Sequence, residues 1–348
     1  MIQVKTVIVI AVKTVITAAV RAQPAALVLA ASFGLAACAA PDNSADSTPT
    51  AGATAECPVT PVDVVVSVDQ WGDIVSQLGG TCAKVATVLA GSAADPHDFE
   101  PAPSDAAKFE GAQLVVINGG HYDEWAAKLA SSSAPEAPVV NALEASGAEA
   151  SHEGHDHGEE GHGEEGHSHE DEPNPHVWYS PTALTVVADT VTAELRRLAP
   201  DAAGYFDERR VALAENLNPY HGLIDSLRVK ASGKSYAATE TSFDDMGAAL
   251  GLTNLTPRGY QVASSNDSEP SPADLDASMQ LLAGRGVDVL VYNVQTEGSV
   301  PQQLRAAAEQ SGVPVVEITE TLPPDADSFQ SWQVDQLIAL GEALGVAT

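Results

Sequence analysis

Imidazole side chains, the commonest metal ligands in proteins, are concentrated in one stretch of this chain. Residues 151–172, here called the histidine tract, hold six of the ten histidines: His152, His155, His157, His162, His167 and His169. The tract has no apolar side chain to bury, so we expect a mobile loop that binds cations weakly. It leads into Asn174-Pro175-His176-Val177-Trp178. This apolar, proline-containing setting predicts a fixed position for His176 in a folded domain.

The net charge of the chain limits its partners. The 48 acidic and 16 basic residues give a formal net charge of −32. Nucleic acid phosphates would be repelled, so we expect no nucleic acid partner. An acidic surface also raises the local concentration of cations, which is compatible with metal binding.

The amino-terminal residues are typical of an export signal. Basic residues precede an apolar run, residues 25–37, that is too short to span a bilayer. The run ends in Leu35-Ala36-Ala37-Cys38, which matches the bacterial lipobox, in which small residues precede the lipidated cysteine. The sequence therefore predicts a signal peptide over residues 1–37 and a lipidated tether over residues 38–58. Lipid on Cys38 would anchor the protein at the outer face of the cell membrane.

Two further cysteines, Cys57 and Cys82, are the candidates for a disulfide. An extracytoplasmic compartment is oxidising enough for such a bond to form. A bridge between them would stabilise the start of the first domain by roughly 3 kcal/mol. Neither cysteine has CxxC spacing, so we do not expect thiolates to bind zinc.

Short β-branched runs alternate with helical patterns in both halves of the chain. In the first half the predicted strands cover residues 62–68, 84–89 and 114–117. In the second half they cover residues 234–239, 287–292 and 313–318. Helical patterns near 181–199 and 202–229 separate the two halves. This alternation is typical of α/β folds with parallel sheets.

The sequence thus predicts two α/β lobes connected by helices. The amino-terminal lobe is assigned to residues 59–180 and includes the histidine tract. The bridging helices are assigned to residues 181–230, and the carboxy-terminal lobe to residues 231–348. Ligands of such folds bind where strands end and their loops converge.

Four metal-competent side chains lie just after predicted strands or at the start of the bridge: His97, His176, Glu240 and Glu320. Two neutral imidazoles and two carboxylates supply the two negative charges that neutralise a divalent cation in a partly buried cleft. Thr239 and Asn293 are candidates for orienting these ligands through hydrogen bonds. The sequence therefore predicts a metal site between the lobes.

The ligand types favour zinc over manganese without excluding manganese. Two imidazoles and two carboxylates suit tetrahedral zinc, and with bidentate carboxylates they also suit six-coordinate manganese. The general affinity order of divalent ions favours zinc at such a site. The neighbouring histidine tract favours zinc as well, because imidazole suits zinc better than manganese.

Several motifs follow one another in a distinctive order. The lipobox precedes an Asp-Pro-His-Asp-Phe-Glu-Pro segment at residues 95–101 and an Asn-Gly-Gly segment at residues 118–120. The histidine tract, the segment containing His176 and the long helical region come next. This order resembles that of the metal-binding solute-binding lipoproteins of zinc and manganese ABC transporters. The resemblance covers nearly all of the chain from about Val62.

The resemblance implies two α/β lobes joined by a long rigid backbone helix, with the metal in the cleft between the lobes. By motif, it assigns His97 and His176 as the ligands from the amino-terminal lobe. It also implies an acidic ligand near residues 319–323, which we assign to Glu320. The alternatives for this last position are Asn293, Glu297 and Asp325.

The chain departs from the zinc members of that family at Glu240. Zinc members commonly have a histidine there, whereas the sequence here is Glu240-Thr241-Ser242-Phe243. A glutamate at this place is similar to manganese members. The departure bears on which metal is bound more than on whether a site exists.

The predicted function is that of a monomeric, lipid-anchored extracytoplasmic receptor that binds zinc and delivers it to an ABC permease. A manganese or iron receptor of the same family is the first alternative, and a metal-binding adhesin or buffer is the second. A zinc hydrolase is the third. It is disfavoured because four protein ligands leave no position for water and because the sequence has no HExxH motif. We therefore do not expect an enzyme.

Overall fold

A computed structural model describes residues 56–91, 96–147, 173–266, 268–296 and 298–348. The predicted signal peptide, Cys38, the histidine tract with its six histidines, and Glu297 lie outside these residues. No helix within the described ranges is long and apolar enough to cross a membrane.

The amino-terminal lobe is built on a parallel four-stranded sheet in the order β2-β1-β3-β4. Its strands are β1 (Val62–Val68), β2 (Ala83–Leu89), β3 (Leu114–Ile117) and β4 (Val139–Asn141). Its helices are α1 (Asp69–Gly79), α2 (Pro103–Phe109), α3 (Glu124–Ser133) and α4 (Ala142–Ser146). The central strands β1 and β3 are buried almost throughout, as expected for parallel strands covered on both faces.

Three helices connect the lobes: α5 (Pro181–Leu198), α6 (Ala203–Asn216) and α7 (Asn218–Lys230). Helix α5 begins where Ser180 accepts a hydrogen bond from the Ala183 amide, with proline at the first helical position. The predicted long helix over 202–229 is confirmed as one helical run, although a local break at Leu217, whose φ and ψ remain helical, separates α6 from α7. Pro219 explains the break, because it has no amide hydrogen to donate within the helix.

The carboxy-terminal lobe repeats the architecture with a parallel sheet in the order β6-β5-β7-β8. Its strands are β5 (Ser235–Ala238), β6 (Thr253–Asn254), β7 (Val289–Asn293) and β8 (Val315–Ile318). Its helices are α8 (Asp244–Leu250), α9 (Arg258–Ser265), α10 (Pro272–Ala283), α11 (Ser299–Ser311) and α12 (Phe329–Ala343). The predicted fold of two helix-bridged α/β lobes is confirmed.

One hydrophobic core runs through both lobes and the bridging helices. It joins residues of both sheets to large aromatic side chains, including Trp71, Trp178, Tyr220 and Phe329. Smaller clusters fill the outer face of each sheet. The two lobes are therefore in contact through packed apolar side chains.

A disulfide links Cys57 to Cys82, whose Cα atoms are 5.0 Å apart. Cys82 is fully buried just before β2, at the end of a short 3₁₀ turn. The bond ties the start of the described chain to the base of the first sheet.

Candidate metal centre

Three of the four predicted ligands meet between the lobes. The Nε2 atoms of His97 and His176 are 3.3 Å apart, and each lies 3.4 Å from Oε2 of Glu320. These three side chains form a group that could hold a metal ion. The triangle is nearly equilateral and is shielded from solvent, because the Glu320 side chain is 0% exposed and that of His176 is 5% exposed.

Glu320 carries a negative charge at the centre of the group. Burial alone would raise the pKa of its carboxyl, but the imidazoles of His176 and His97 hold that pKa well below its ordinary value. Oε2 is buried and receives no well-directed hydrogen bond within the described ranges. A buried carboxylate oxygen is costly without a partner, and a cation between it and the imidazoles would supply one.

His176 is oriented by Asn174 two residues earlier. The Asn174 amide nitrogen donates to the Thr241 carbonyl at 2.9 Å, so its oxygen faces His176. That oxygen lies 2.7 Å from Nδ1 of His176 and also accepts the His176 backbone amide. The proton of the imidazole is therefore placed on Nδ1, which leaves Nε2 free to bind a metal.

Aromatic rings complete the wall around the two imidazoles. His97 lies in a 3₁₀ turn, Pro96–Asp98, and the edge of Tyr122 packs against its ring at 5.0 Å. His176 precedes a second 3₁₀ turn and packs against Trp178 at 5.2 Å. Tyr122 and Trp178 contact each other, so the two histidines share one rigid apolar support.

Glu320 is held by two amide side chains, Asn293 at the end of β7 and Gln295 in the loop after it. Its amide nitrogen donates to Oε1 of Gln295 at 2.7 Å. Its own Oε1 accepts from Nδ2 of Asn293 at 2.7 Å. The contact with Asn293 uses Oε1 of Glu320, and Oε2 remains directed at the histidines.

The fourth predicted ligand, Glu240, lies beside the triangle and not within it. Its Oε2 accepts from Nδ2 of Asn293 at 2.5 Å, and Oε1 accepts from the hydroxyl of Thr296. Burial, the charge of Glu320 and a hydrogen bond with that carboxylate raise the pKa of Glu240 well above its ordinary value. Of the two neighbouring carboxyls, Glu240 is therefore the one that holds a proton to higher pH.

A cavity opens onto the group from one side. It is lined by both histidines, Glu240, His121, Asp244 and the Pro-Asn-Pro segment at 173–175. Its volume of about 180 Å³ is ample for a hydrated ion. The chain that follows the histidine tract therefore forms part of the rim of this cavity.

The alternatives for the acidic ligand have other positions. Asn293 donates to both glutamates, and its own oxygen accepts from the Gln295 amide, so it orients ligands. Its backbone amide in turn donates to the Thr239 hydroxyl at 3.0 Å. Asp325 lines a separate cavity against α12. Glu297 lies outside the described residues.

Sequence reasoning missed three residues that support the site. Asn174 could have been found, because an Asx residue before proline often accepts the amide two residues later. Gln295 and Thr296 had no such signal, because an isolated polar residue after a strand has many possible partners. Only the packing of two strand ends shows that they face the ligands.

The sequence of this chain matches the profile of one protein family. The profile described as zinc-uptake complex component A, periplasmic, matches residues 64–343. The chain belongs to this family. The family is one of solute-binding transport components, so the chain is not an enzyme.

Two named proteins are similar to parts of this chain. The high-affinity zinc uptake system protein ZnuA of Bacillus subtilis is 29% identical over 222 residues, which cover 62% of this chain and 66% of that protein. The zinc-binding lipoprotein AdcA of Streptococcus pneumoniae is 28% identical over 203 residues. That match covers 58% of this chain but only 39% of AdcA.

Solved structures share the fold at low sequence identity. A Cd-bound periplasmic metal binding protein from Candidatus Liberibacter asiaticus has a TM-score of 0.63 and 17% identity, covering 81% of this chain and 99% of that one. A crystal structure of ZnuA has a TM-score of 0.62 and 18% identity, covering 81% and 98%. The protein FpvC from P. aeruginosa in complex with Ni2+ has a TM-score of 0.63 and 19% identity, covering 82% and 97%.

Proposed function

We propose that this protein is an extracytoplasmic zinc receptor that delivers the ion to an ABC-type permease. The observation that carries the proposal is the triangle formed by His97, His176 and Glu320. Family membership and the zinc-related names of the similar proteins support the same cargo.

The dimensions of the triangle favour zinc. In a tetrahedral site with bonds of about 2.0–2.1 Å, neighbouring ligand atoms are about 3.3–3.4 Å apart. The three ligand atoms here are separated by 3.3, 3.4 and 3.4 Å. A site with two imidazole ligands also binds zinc more tightly than manganese.

The charges of the site support binding of a divalent ion. Glu320 supplies one negative charge, and Glu240 would supply the second when the ion displaces its proton. The resulting four-ligand site is neutral overall, as a poorly solvated ion requires. Four protein ligands also leave no position for the catalytic water of a hydrolase.

The histidine tract would collect zinc with low affinity and pass it to His176. In support, the chain that follows the tract lines the cavity above the buried group from Pro173 onward. Lipid on Cys38 would keep the receptor, as a monomer, close to a permease in the cytoplasmic membrane. The two lobes would correspond to residues 59–180 and 231–348.

Zinc affinity measured by competition with a chromophoric chelator tests the proposal. We expect one tight zinc site per mature protein, unchanged when residues 151–172 are deleted. His176→Ala should weaken it by more than the roughly 10- to 100-fold typical of residues that only orient a ligand. His221→Ala, on helix α7, is the matched control and should have no effect.

Two outcomes would contradict the proposal. Loss of the tight site on deletion of the tract, with His176→Ala unaffected, would reverse the two roles. Displacement of zinc by equimolar manganese would identify a manganese receptor, in which bidentate carboxylates complete a six-coordinate site.

A further inference from the structure

The loop that carries Glu320 belongs to the carboxy-terminal sheet, yet it is fastened to the amino-terminal lobe. Its hydrogen bonds to that lobe all lie within three residues of Glu320. The Tyr179 hydroxyl donates to the Thr319 carbonyl at 2.7 Å. The Thr321 hydroxyl donates to the Gly91 carbonyl at 3.1 Å, and the Leu322 amide donates to Asp69 at 3.1 Å.

Asp69 lies at the centre of this connection. It is the first residue of α1, directly after β1, and its side chain is half-buried. One carboxylate oxygen, Oδ2, accepts from the Gly91 amide at 2.6 Å, while the other, Oδ1, accepts from the Leu322 amide. Burial raises the pKa of the Asp69 carboxyl, although these backbone amides act in the opposite direction.

The two amides come from opposite lobes: Gly91 follows β2, and Leu322 follows β8. Gly91 starts the connection to His97, while Leu322 follows Glu320 by two residues. Gly91 has a φ of +87°, a left-handed conformation that favours glycine and directs its amide at Asp69. Thr321 closes the arrangement by bonding to the same Gly91.

We propose that Asp69 is a positioning residue for metal capture, which clasps the Glu320 segment to Gly91 at the end of β2 in the amino-terminal lobe. The clasp keeps Glu320 close to the two histidines before any ion arrives. Three ligands then need little rearrangement on binding, and the entropic cost of assembling the site is reduced. This inference rests on the proposed function, because it takes the His97, His176 and Glu320 group as the cargo site.

Asp73 provides a matched control on the same helix. Its Oδ2 accepts from the Phe329 amide at 2.9 Å, so it also joins α1 to the chain after β8. Phe329, however, is the first residue of α12, nine residues beyond Glu320. Asp73 therefore contributes to interlobe stability without contacting the segments that bear the ligands.

The test uses Asp69→Asn, Asp69→Ala and Asp73→Ala in the mature protein. Zinc affinity is measured by chelator competition, and the melting temperature of the ion-free protein is recorded in parallel. Asp69→Ala should weaken zinc binding roughly 10- to 100-fold. Asp69→Asn should weaken it less, because its amide oxygen can still accept one of the two hydrogen bonds. Asp73→Ala should change affinity by less than about threefold even if it lowers the melting temperature equally.

Cobalt provides a readout that general destabilisation would not change. The visible absorption of bound Co2+ depends on coordination geometry. We expect an altered spectrum for both Asp69 variants and a wild-type spectrum for Asp73→Ala. If Asp69→Ala does not fold, Asp69→Asn compared with Asp73→Asn decides the question.

Two results would overturn the inference, and they can be told apart from failure of the proposed function. Asp69 and Asp73 variants with equal losses of affinity would show that only stability matters. Wild-type zinc affinity and cobalt spectrum in the Asp69 variants would show that the clasp is irrelevant. A wild-type protein without a tight zinc site would instead contradict the proposed function, and the clasp would fall with it.

Discussion

Two loops of the carboxy-terminal sheet each present a glutamate to the site, and the two glutamates differ in almost every respect. Glu320 follows β8, is fully buried and lies 3.4 Å from both histidines. Glu240 follows β5, lines the cavity and is bonded to Asn293 and Thr296. The pKa of Glu320 is held well below its ordinary value and that of Glu240 is raised well above it.

The difference shows how two adjacent buried carboxyls acquire different pKa values. Two carboxylates in hydrogen-bond contact cannot both remain charged away from water. The loop tied to the amino-terminal lobe places its acid beside the two imidazoles, which lower the pKa of that acid. Burial and the charge of Glu320 raise the pKa of the other acid, Glu240. Glu320 therefore ionises more readily than Glu240.

The largest expected difference in zinc affinity is between the variants Glu320→Gln and Glu240→Gln. Glu320→Gln should weaken zinc binding by roughly a hundredfold or more, because it removes the buried carboxylate that lies 3.4 Å from both histidines. Glu240→Gln should cost less, roughly tenfold, because the lost bond to zinc is partly offset by the proton that no longer has to be displaced from the Glu240 carboxyl. Chelator competition at pH 7.5 measures both. An equal or larger loss for Glu240→Gln would mean that the assigned roles are wrong.

Loss of the amide between the two acids should have an intermediate effect. Asn293 donates to both glutamates, so Asn293→Ala leaves two buried carboxyls in contact without a shared donor. We expect zinc affinity to fall roughly 10- to 100-fold. Gln280→Ala is the control, because Gln280 also donates to an acid of this lobe, Asp276, but on helix α10 and outside the cavity that the histidines line. A similar loss in both variants would argue against a specific role for Asn293.

The smallest expected effect is on the number of protons that are released when zinc binds. Because the pKa of Glu240 is raised, its carboxyl is protonated in ion-free protein at pH values between its ordinary and its raised pKa. Zinc binding displaces this proton, so affinity should rise with pH, by up to about tenfold per pH unit for each proton released. Glu240→Gln should lower the number of protons released by up to about one. Calorimetry in buffers of different ionisation enthalpy measures this number, and an unchanged number would show that Glu240 is not a ligand.

Much of the fold could be predicted from local pattern. Apolar β-branched runs identified β1 and β3 with the bounds that the structure has or close to them, because buried parallel strands consist almost entirely of such residues. The short edge strands β4 and β6 were missed, since two or three residues carry no periodicity. The break at Leu217 was missed as well, because a single proline early in α7 interrupts an otherwise helical pattern.

The sequence by itself predicted the candidate ligands by type and by the places where they enter the fold. His97, His176, Glu240 and Glu320 were identified because strand ends converge in α/β lobes and because their motifs resemble those of a metal-binding family. A chain pattern cannot show which of two nearby acids keeps its charge. That choice depends on distances between loops far apart in the sequence.

Only the tertiary structure decided the division of roles at the site. It placed Glu320 between two imidazoles and Glu240 next to Glu320, and the electrostatics of that placement lowered the pKa of one acid and raised that of the other. It also joined Asp69 to the chain beyond Glu320, 253 residues later. Such contacts depend on the packing of whole lobes, so no local feature of either segment could have predicted them.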